Sequence, residues 1–293
     1  MEAVLLFKQS NGTQSTITSL TVAPKGRLIA CGTLDGRVLL VDTRHGKQKK
    51  SFGGHEGAVT AVAFLPDGKH IVSSSWDQTT QRWSRTGREE PIRLRHGTEV
   101  KALAVSAEAS KGAAGARDGE VKIFSLTSLK CTKNLQAHDS DVSGLAFSDD
   151  GRFLVTTSWD GTCKVWDTSK FEETSPVVHQ NERLRSLAIA DDPPRAFLGL
   201  HGGRILVVDL DSPGEPAELV GHEDVVSSLT VSPSGDLLVS GSWDRTIRTW
   251  SLDDLSEVST DSLLTGVTSL VWSPKGDRLY SSDFSGKILV WHR

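Results

Sequence analysis

Apolar and polar residues alternate along this chain in short runs that keep returning. Residues 59–64, VTAVAF, carry the period-two pattern of a half-buried strand. LPDG at 65–68 and SPSG at 232–235 are turn chemistry, because Pro presets φ and Gly accepts a positive φ. Strand-like runs follow each of them, HIVSSS at 70–75 and LLVSGS at 237–242. A tight turn comes next, as in WDGT at 159–162, and then a third strand, as in CKVW at 163–166. A more polar strand, such as REEPIRLR at 88–95, completes the unit. No unit shows ten residues of 3.6-fold apolar spacing, so helices are not expected.

The unit repeats through the chain. Aligned on Asp77, Asp160 and Asp244, the register falls on Asp35 and Asp118, and then on Gly202 and Ser285. The intervals are 42, 41, 42, 42, 42 and 41 residues, so seven units fill the 293 positions. Four short strands at this period describe a propeller blade. One blade cannot cover both of its apolar faces, whereas a ring can. The predicted fold is therefore all-β, a seven-bladed propeller of four-stranded antiparallel blades in one domain over residues 1–293. The last unit shows three strands, GVTSLVW at 266–272, RLYSS at 278–282 and KILVW at 287–291. AVLLFK at 3–8 precedes the first unit and is spare. It is expected to join the last blade, closing the ring and hiding an edge that invites aggregation.

Three units share a constellation. A His stands 22 residues before the turn Asp, a Ser or Thr four before it and a Trp six after it. The sets are His55, Ser73, Asp77, Trp83; His138, Thr156, Asp160, Trp166; and His222, Ser240, Asp244, Trp250. This pattern resembles the structural tetrad of the WD40 family and its Gβ-like members, over the whole chain. The period also suits WD40 units better than the longer kelch units. The resemblance implies that the indole N–H donates to the hydroxyl, the hydroxyl to the His, and the His to the Asp. The other units depart from the pattern. The third keeps His96 and Asp118 but has Ala114 and Phe124; the first has Cys31, Asp35 and Val41; the fifth has Leu198, Gly202 and Val208; the seventh keeps Ser281 and Trp291 but has Ser285 for Asp.

Ser, His and Asp together suggest a hydrolytic triad, but three copies at one spacing, each tied to a Trp, argue for architecture. No catalytic residue is assigned. The His residues are expected one per blade, too dispersed for a zinc site, so no metal or cofactor is implied. KGAAGARDG at 111–119 lacks the lysine of a phosphate-binding loop.

Composition narrows the partners. The chain is 37% hydrophobic with a net charge of −4, which calls for neither nucleic acid nor an anionic membrane. KQKK at 47–50 reads as a solvated outer edge, since no aromatic residues interleave it. The three cysteines, Cys31, Cys131 and Cys163, form no framework and suit a reducing compartment. The start lacks a basic signal region, and no apolar run nears the roughly 18 residues that span a bilayer. A cytoplasmic or nuclear, non-secreted protein is the expectation, which makes the sequon Asn11-Gly12-Thr13 a chance match.

The residue before each turn Asp should project from the top face: Leu34, Trp76, Arg117, Trp159, His201, Trp243 and Phe284. Residues three and five after the His register should rim the same face, among them Glu99, Lys101, Asp141, Ser143, Arg183 and Arg185. Gβ-like propellers use these positions for contacts. The aromatic anchors, with a cationic sector of Lys101, Arg117, Arg183, Arg185 and His201, suit a peptide or protein loop carrying acidic or phosphorylated residues. The expected function is a non-catalytic interaction scaffold, a monomeric propeller inside a larger complex. A propeller hydrolase or lactonase would need carboxylates or histidines converging on the channel, where the inner strands show small and apolar residues. A reader of modified histone tails would need an acidic or aromatic pocket at the channel mouth, against which the arginines weigh.

Overall fold

The inner strand of every blade is short, apolar on alternate positions and polar in between, and this pattern builds a ring. A computed structural model describes residues 3–8, 15–211 and 214–293. The sequon at 11–13 lies outside the described residues. Among the described residues there are seven four-stranded antiparallel sheets and no helix. The first sheet comprises Ile17–Val22, Leu28–Thr33, Val38–Asp42 and Gln48–Phe52 in sequence order, and the next five repeat that order. Neighbouring inner strands pack in cyclic order, the last, Val267–Trp272, against the first, Ile17–Val22.

The last sheet is completed from the other end of the chain. Ala3–Lys8 pairs antiparallel with Lys287–His292, with Ala3 opposite Trp291 and Lys8 opposite Lys287. The closing strand buries Phe7 in the cluster that joins the seventh and first blades, alongside Tyr280, Ile288, Ile17 and Ile29.

The core is divided between the blades. Each of seven buried clusters draws on two neighbouring sheets. Leu154 and Trp166 of the fourth blade, for example, meet Ala113 and Val121 of the third. No sheet owns a complete core, so each depends on both neighbours.

Hydroxyl groups stitch the inner strands together. Thr60 donates to the Val100 carbonyl at 2.9 Å and Ser227 to the Val267 carbonyl at 2.7 Å, while Thr18 donates to the Val59 carbonyl. One position further on, the serine accepts instead: the amides of Val62, Leu270 and Leu20 donate to Ser19, Ser228 and Ser269 at 3.2, 2.9 and 3.0 Å. Parallel inner strands of adjacent sheets share no backbone ladder, so these bonds satisfy groups that face the channel.

Every inner strand is also bulged at one register. The pairing shifts across Thr18, Thr60, Lys101, Ser143, Arg185, Ser227 and Thr268. A bulge leaves one residue unpaired and re-aims its side chain. Here it turns all seven toward the channel mouth, five hydroxyls and two cations.

Removing residues 1–8 should open the edge of Lys287–His292 and lower stability. Phe7→Ala alone should cost about 3 kcal/mol in urea unfolding. Size-exclusion chromatography of the deletion should show self-association; a monomer with an unchanged melting temperature would contradict the closing role.

Candidate partner-binding face

The three tetrads are assembled in the second, fourth and sixth blades. Trp83, Trp166 and Trp250 donate through Nε1 to Ser73, Thr156 and Ser240 at 2.7, 3.0 and 2.8 Å. Those hydroxyls lie 2.8, 2.7 and 2.8 Å from Nε2 of His55, His138 and His222. The Nδ1 atoms lie 2.7, 3.2 and 2.8 Å from Asp77, Asp160 and Asp244. Each hydroxyl that accepts from the indole has its own proton for Nε2, so the imidazole is neutral and its Nδ1–H donates to the Asp. Burial, which outweighs the raising pull of the Asp partner, holds all three imidazoles below their ordinary 6.5. The carboxylates also accept the amides of Glu56, Asp139 and Glu223 at 3.1, 3.0 and 3.0 Å. The loop before each inner strand is thereby fixed to the tight turn.

A fifth member escaped the sequence reading. Thr79, Thr162 and Thr246 donate to the turn Asp at 2.7, 2.6 and 2.7 Å, and their hydroxyls also lie 3.2, 2.8 and 3.0 Å from the histidine Nδ1. The signal was available, since Thr stands two residues after the Asp in all three units.

The remaining blades find other solutions. His96 leaves its Nδ1 without a partner among the described residues instead of bonding Asp118, and its Nε2 lies 3.0 Å from the Thr80 hydroxyl of the preceding blade. Burial first, and then the nearby Lys122, pull its pKa down to about 4. In the seventh blade Trp291 still donates to Ser281 at 2.8 Å, while Asp283 takes over the turn by accepting the amides of Ser285 and Lys287 at 2.9 and 3.2 Å. In the first, Thr33 and Arg37 hold Asp35. In the fifth, Arg204 pairs with Glu182 at 2.9 Å.

These turns present the top face. A cavity of about 390 Å³ opens at the channel mouth, and Leu34, Trp76, Trp159, His201, Trp243 and Phe284 stand around it. Leu34, Trp76, Trp243 and Phe284 are exposed, at 48%, 47%, 37% and 45%. Trp243 and Phe284 meet edge to face with centroids 5.7 Å apart. Trp159 is half-buried and sits among polar groups. Arg183 lies 5.0 Å from its ring centroid and Lys101 5.7 Å, while His201 meets it edge to face at 5.8 Å. Lys101 also lies 4.8 Å from the centroid of Trp76. Trp159 Nε1 and His201 Nε2 are buried with no hydrogen-bond partner among the described residues.

The positive sector is narrower than the sequence predicts, because acids close by neutralise part of it. Arg117 pairs with Glu99 at 3.1 Å and does not line the cavity. Lys101 lies 3.7 Å from Asp141. Burial, and then the charges of Arg185 and Arg183, lower the pKa of His201 and favour its neutral form. Arg185 is different: it lines both the cavity and the channel below, and burial alone lowers its pKa. A half-buried guanidinium with no ion pair among the described residues is a costly arrangement that an anion relieves.

Among the described residues no group of three or more His, Cys, Asp or Glu could hold a metal ion, and no helix is long and apolar enough to cross a membrane. The cysteines are free; Cys31 and Cys163 are buried, and burial pushes the Cys163 thiol up to about 12.

The family model described as "WD domain, G-beta repeat" matches residues 5–42, 46–84, 129–167, 215–251 and 260–292. The chain belongs to the WD40 family. The third and fifth units, which end their third strand in Phe124 and Val208 instead of Trp, fall between these matches. The nuclear distribution protein PAC1 of Arthroderma otae is 30% identical, covering 89% of this chain and 65% of the relative. A periodic tryptophan protein 2 homolog of Dictyostelium discoideum is 25% identical over 93% of this chain and 33% of its own length. A guanine nucleotide-binding protein subunit beta of Oryza sativa subsp. japonica is 25% identical over 80% of this chain and 69% of its own. The chain thus spans a third to about two thirds of the length of these WD40 relatives.

Acid should destabilise the fold in two steps. The tetrad histidines have folded pKa values below 6.5, so the unfolded chain binds more protons and stability falls as the pH drops below 6.5. Burial alone would raise Asp77, Asp160 and Asp244, but hydrogen bonds led by the turn threonines leave them below 3.8, which adds a second loss as the pH falls through 3.8. Thermal melts between about pH 8 and about pH 2.5 should show a plateau above neutrality, a decline below 6.5 and a further decline below 3.8. Thr156→Ala, which orphans Trp166 Nε1 and His138 Nε2, should cost about 1–3 kcal/mol in urea unfolding.

Proposed function

We propose that residues 1–293 act as one non-catalytic scaffold unit, whose top face holds an acidic or phosphorylated segment of a protein partner within a larger complex. The observation that carries this reading is Arg185, a half-buried cation at the channel mouth with no ion pair among the described residues, beside exposed aromatic anchors. Trp and Arg dominate interface energetics because they combine large contact area with directional bonding. A phosphoryl or carboxylate group entering the mouth meets Arg185, the hydroxyls of Ser143 and Thr268, whose partners are other hydroxyls, and the unpartnered polar atoms of Trp159 and His201. The partner's flanking apolar side chains then rest on Trp76, Trp243, Phe284 and Leu34. The WD40 relatives support a role in protein assembly rather than catalysis. The channel carries hydroxyls and two cations where a propeller hydrolase needs converging carboxylates or histidines. Cytoplasm or nucleus is the compartment that three free cysteines suit.

Trp159→Ala combined with Arg185→Ala should leave the melting temperature within a few degrees of the parent, because neither side chain belongs to a buried inter-blade cluster. The double variant should lose the partners that the parent retains in affinity capture followed by mass spectrometry. Phosphatase treatment of the lysate should remove those held through a phosphoryl group. An unchanged set of partners on the double variant would defeat the reading.

A further inference from the structure

A second surface, away from the top face, is built to take the opposite charge. At two junctions, those of the third with the fourth blade and the fifth with the sixth, a basic side chain bridges the blades near the turn that follows a third strand. Lys111 of the third blade donates to the Thr168 carbonyl of the fourth at 3.0 Å. Arg195 of the fifth blade donates to the Leu252 carbonyl of the sixth at 3.1 Å. Lys111 and Arg195 stand seven residues before the register positions Asp118 and Gly202, and Thr168 and Leu252 stand eight after Asp160 and Asp244. The same register at the junction of the fourth and fifth blades gives Phe153 and the carbonyl of Leu210. Phe153 has no donor to send across. Arg152 beside it is bound to Asp150 of its own turn and stacks on the Phe153 ring, 5.6 Å from the centroid.

A groove of about 370 Å³ lies at this junction, lined by Phe153, Val155, Val165, Ile189 and Leu210. Its rim carries Asp149, Asp150, Asp191 and Asp211 against one cation among the described residues, Arg152. The carboxylates crowd one another: burial first, and then the charges of Asp149 and Asp150, push the pKa of Asp191 up. An apolar floor, a bridging register without a donor and a net negative rim all describe one complementary shape.

We infer that the groove between the fourth and fifth blades docks a basic segment of a partner protein, with one lysine or arginine entering where Lys111 and Arg195 lie at the neighbouring junctions. Its alkyl stem rests on Phe153, Ile189 and Leu210. Its charged head meets the Leu210 carbonyl and the carboxylates of Asp149, Asp191 and Asp211. Aliphatic residues beside it cover the rest of the floor. This surface goes beyond the proposed top-face function and stands or falls independently of it.

The test is a methyl NMR titration of the full chain, with labelled Ile, Leu and Val, against four synthetic peptides. Two carry Leu-Lys-Leu or Leu-Arg-Leu cores between Gly-Ser flanks, and two carry Leu-Glu-Leu or Leu-norleucine-Leu in the same flanks. The basic peptides should shift the Ile189 and Leu210 methyls, and added salt should weaken them. The acidic and neutral peptides should leave these methyls in place. Asp191→Asn should weaken binding of the basic peptides about tenfold. Phe153→Lys, which supplies the missing bridge from within the chain, should abolish it while the protein stays folded. Trp159→Ala should not change it. The inference is overturned if basic peptides give no shift at about 1 mM. Equal binding of the acidic or neutral peptides, or unchanged binding by Phe153→Lys, overturns it as well.

Discussion

A sheet that is apolar on both faces cannot stand alone in water, and everything in this structure depends on that constraint. Each blade leaves one face to be covered by the next, and every buried cluster draws on two neighbouring sheets around the whole ring. The array is stable only when it closes. Closure places Ala3–Lys8 on the last sheet and Phe7 between the seventh and first blades. The ring in turn sets the channel, and the channel decides which side chains are brought together from positions far apart in sequence.

Within that ring the tetrads serve geometry rather than chemistry. Each ties the loop before an inner strand to the tight turn of the same blade, and the residue before the turn Asp is thereby held at the top face. Trp76, Trp159 and Trp243 all follow from this, one from each tetrad blade. The inner-strand bulge does the same for the channel mouth. It turns one residue per blade inward, and in the third and fifth blades that residue is a cation instead of a hydroxyl. Three of the hydroxyls, Thr18, Thr60 and Ser227, close onto backbone carbonyls of the neighbouring blade and so tie the inner strands together.

Much of the candidate face was legible in the sequence, because both the turn position and the inner-strand position recur at a fixed interval. The aromatic anchors follow from the turn register alone. The charges do not. Arg117 and Lys101 find acids on neighbouring strands, and burial favours the neutral form of His201, so the cationic sector contracts around Arg183 and Arg185. His96 illustrates the same limit. Its spacing to Asp118 fits the tetrad, yet with Ala114 and Phe124 in place of the hydroxyl and the indole it turns to Thr80 of another blade. Asp283 is the converse case, a turn carboxylate two residues from the position that the spacing indicated.

The sequence by itself determined the number of blades, their strand order, the closing strand and the composition of three tetrads. Those features repeat at intervals of 41 or 42 residues, and local periodicity is written directly in the chain. Only the tertiary structure decided which cations find an acid beside them, which polar atoms lack partners and where a groove forms between the fourth and fifth blades. Such properties arise between residues of different blades, where distance and burial set electrostatic energy, and a linear order of residues carries neither quantity.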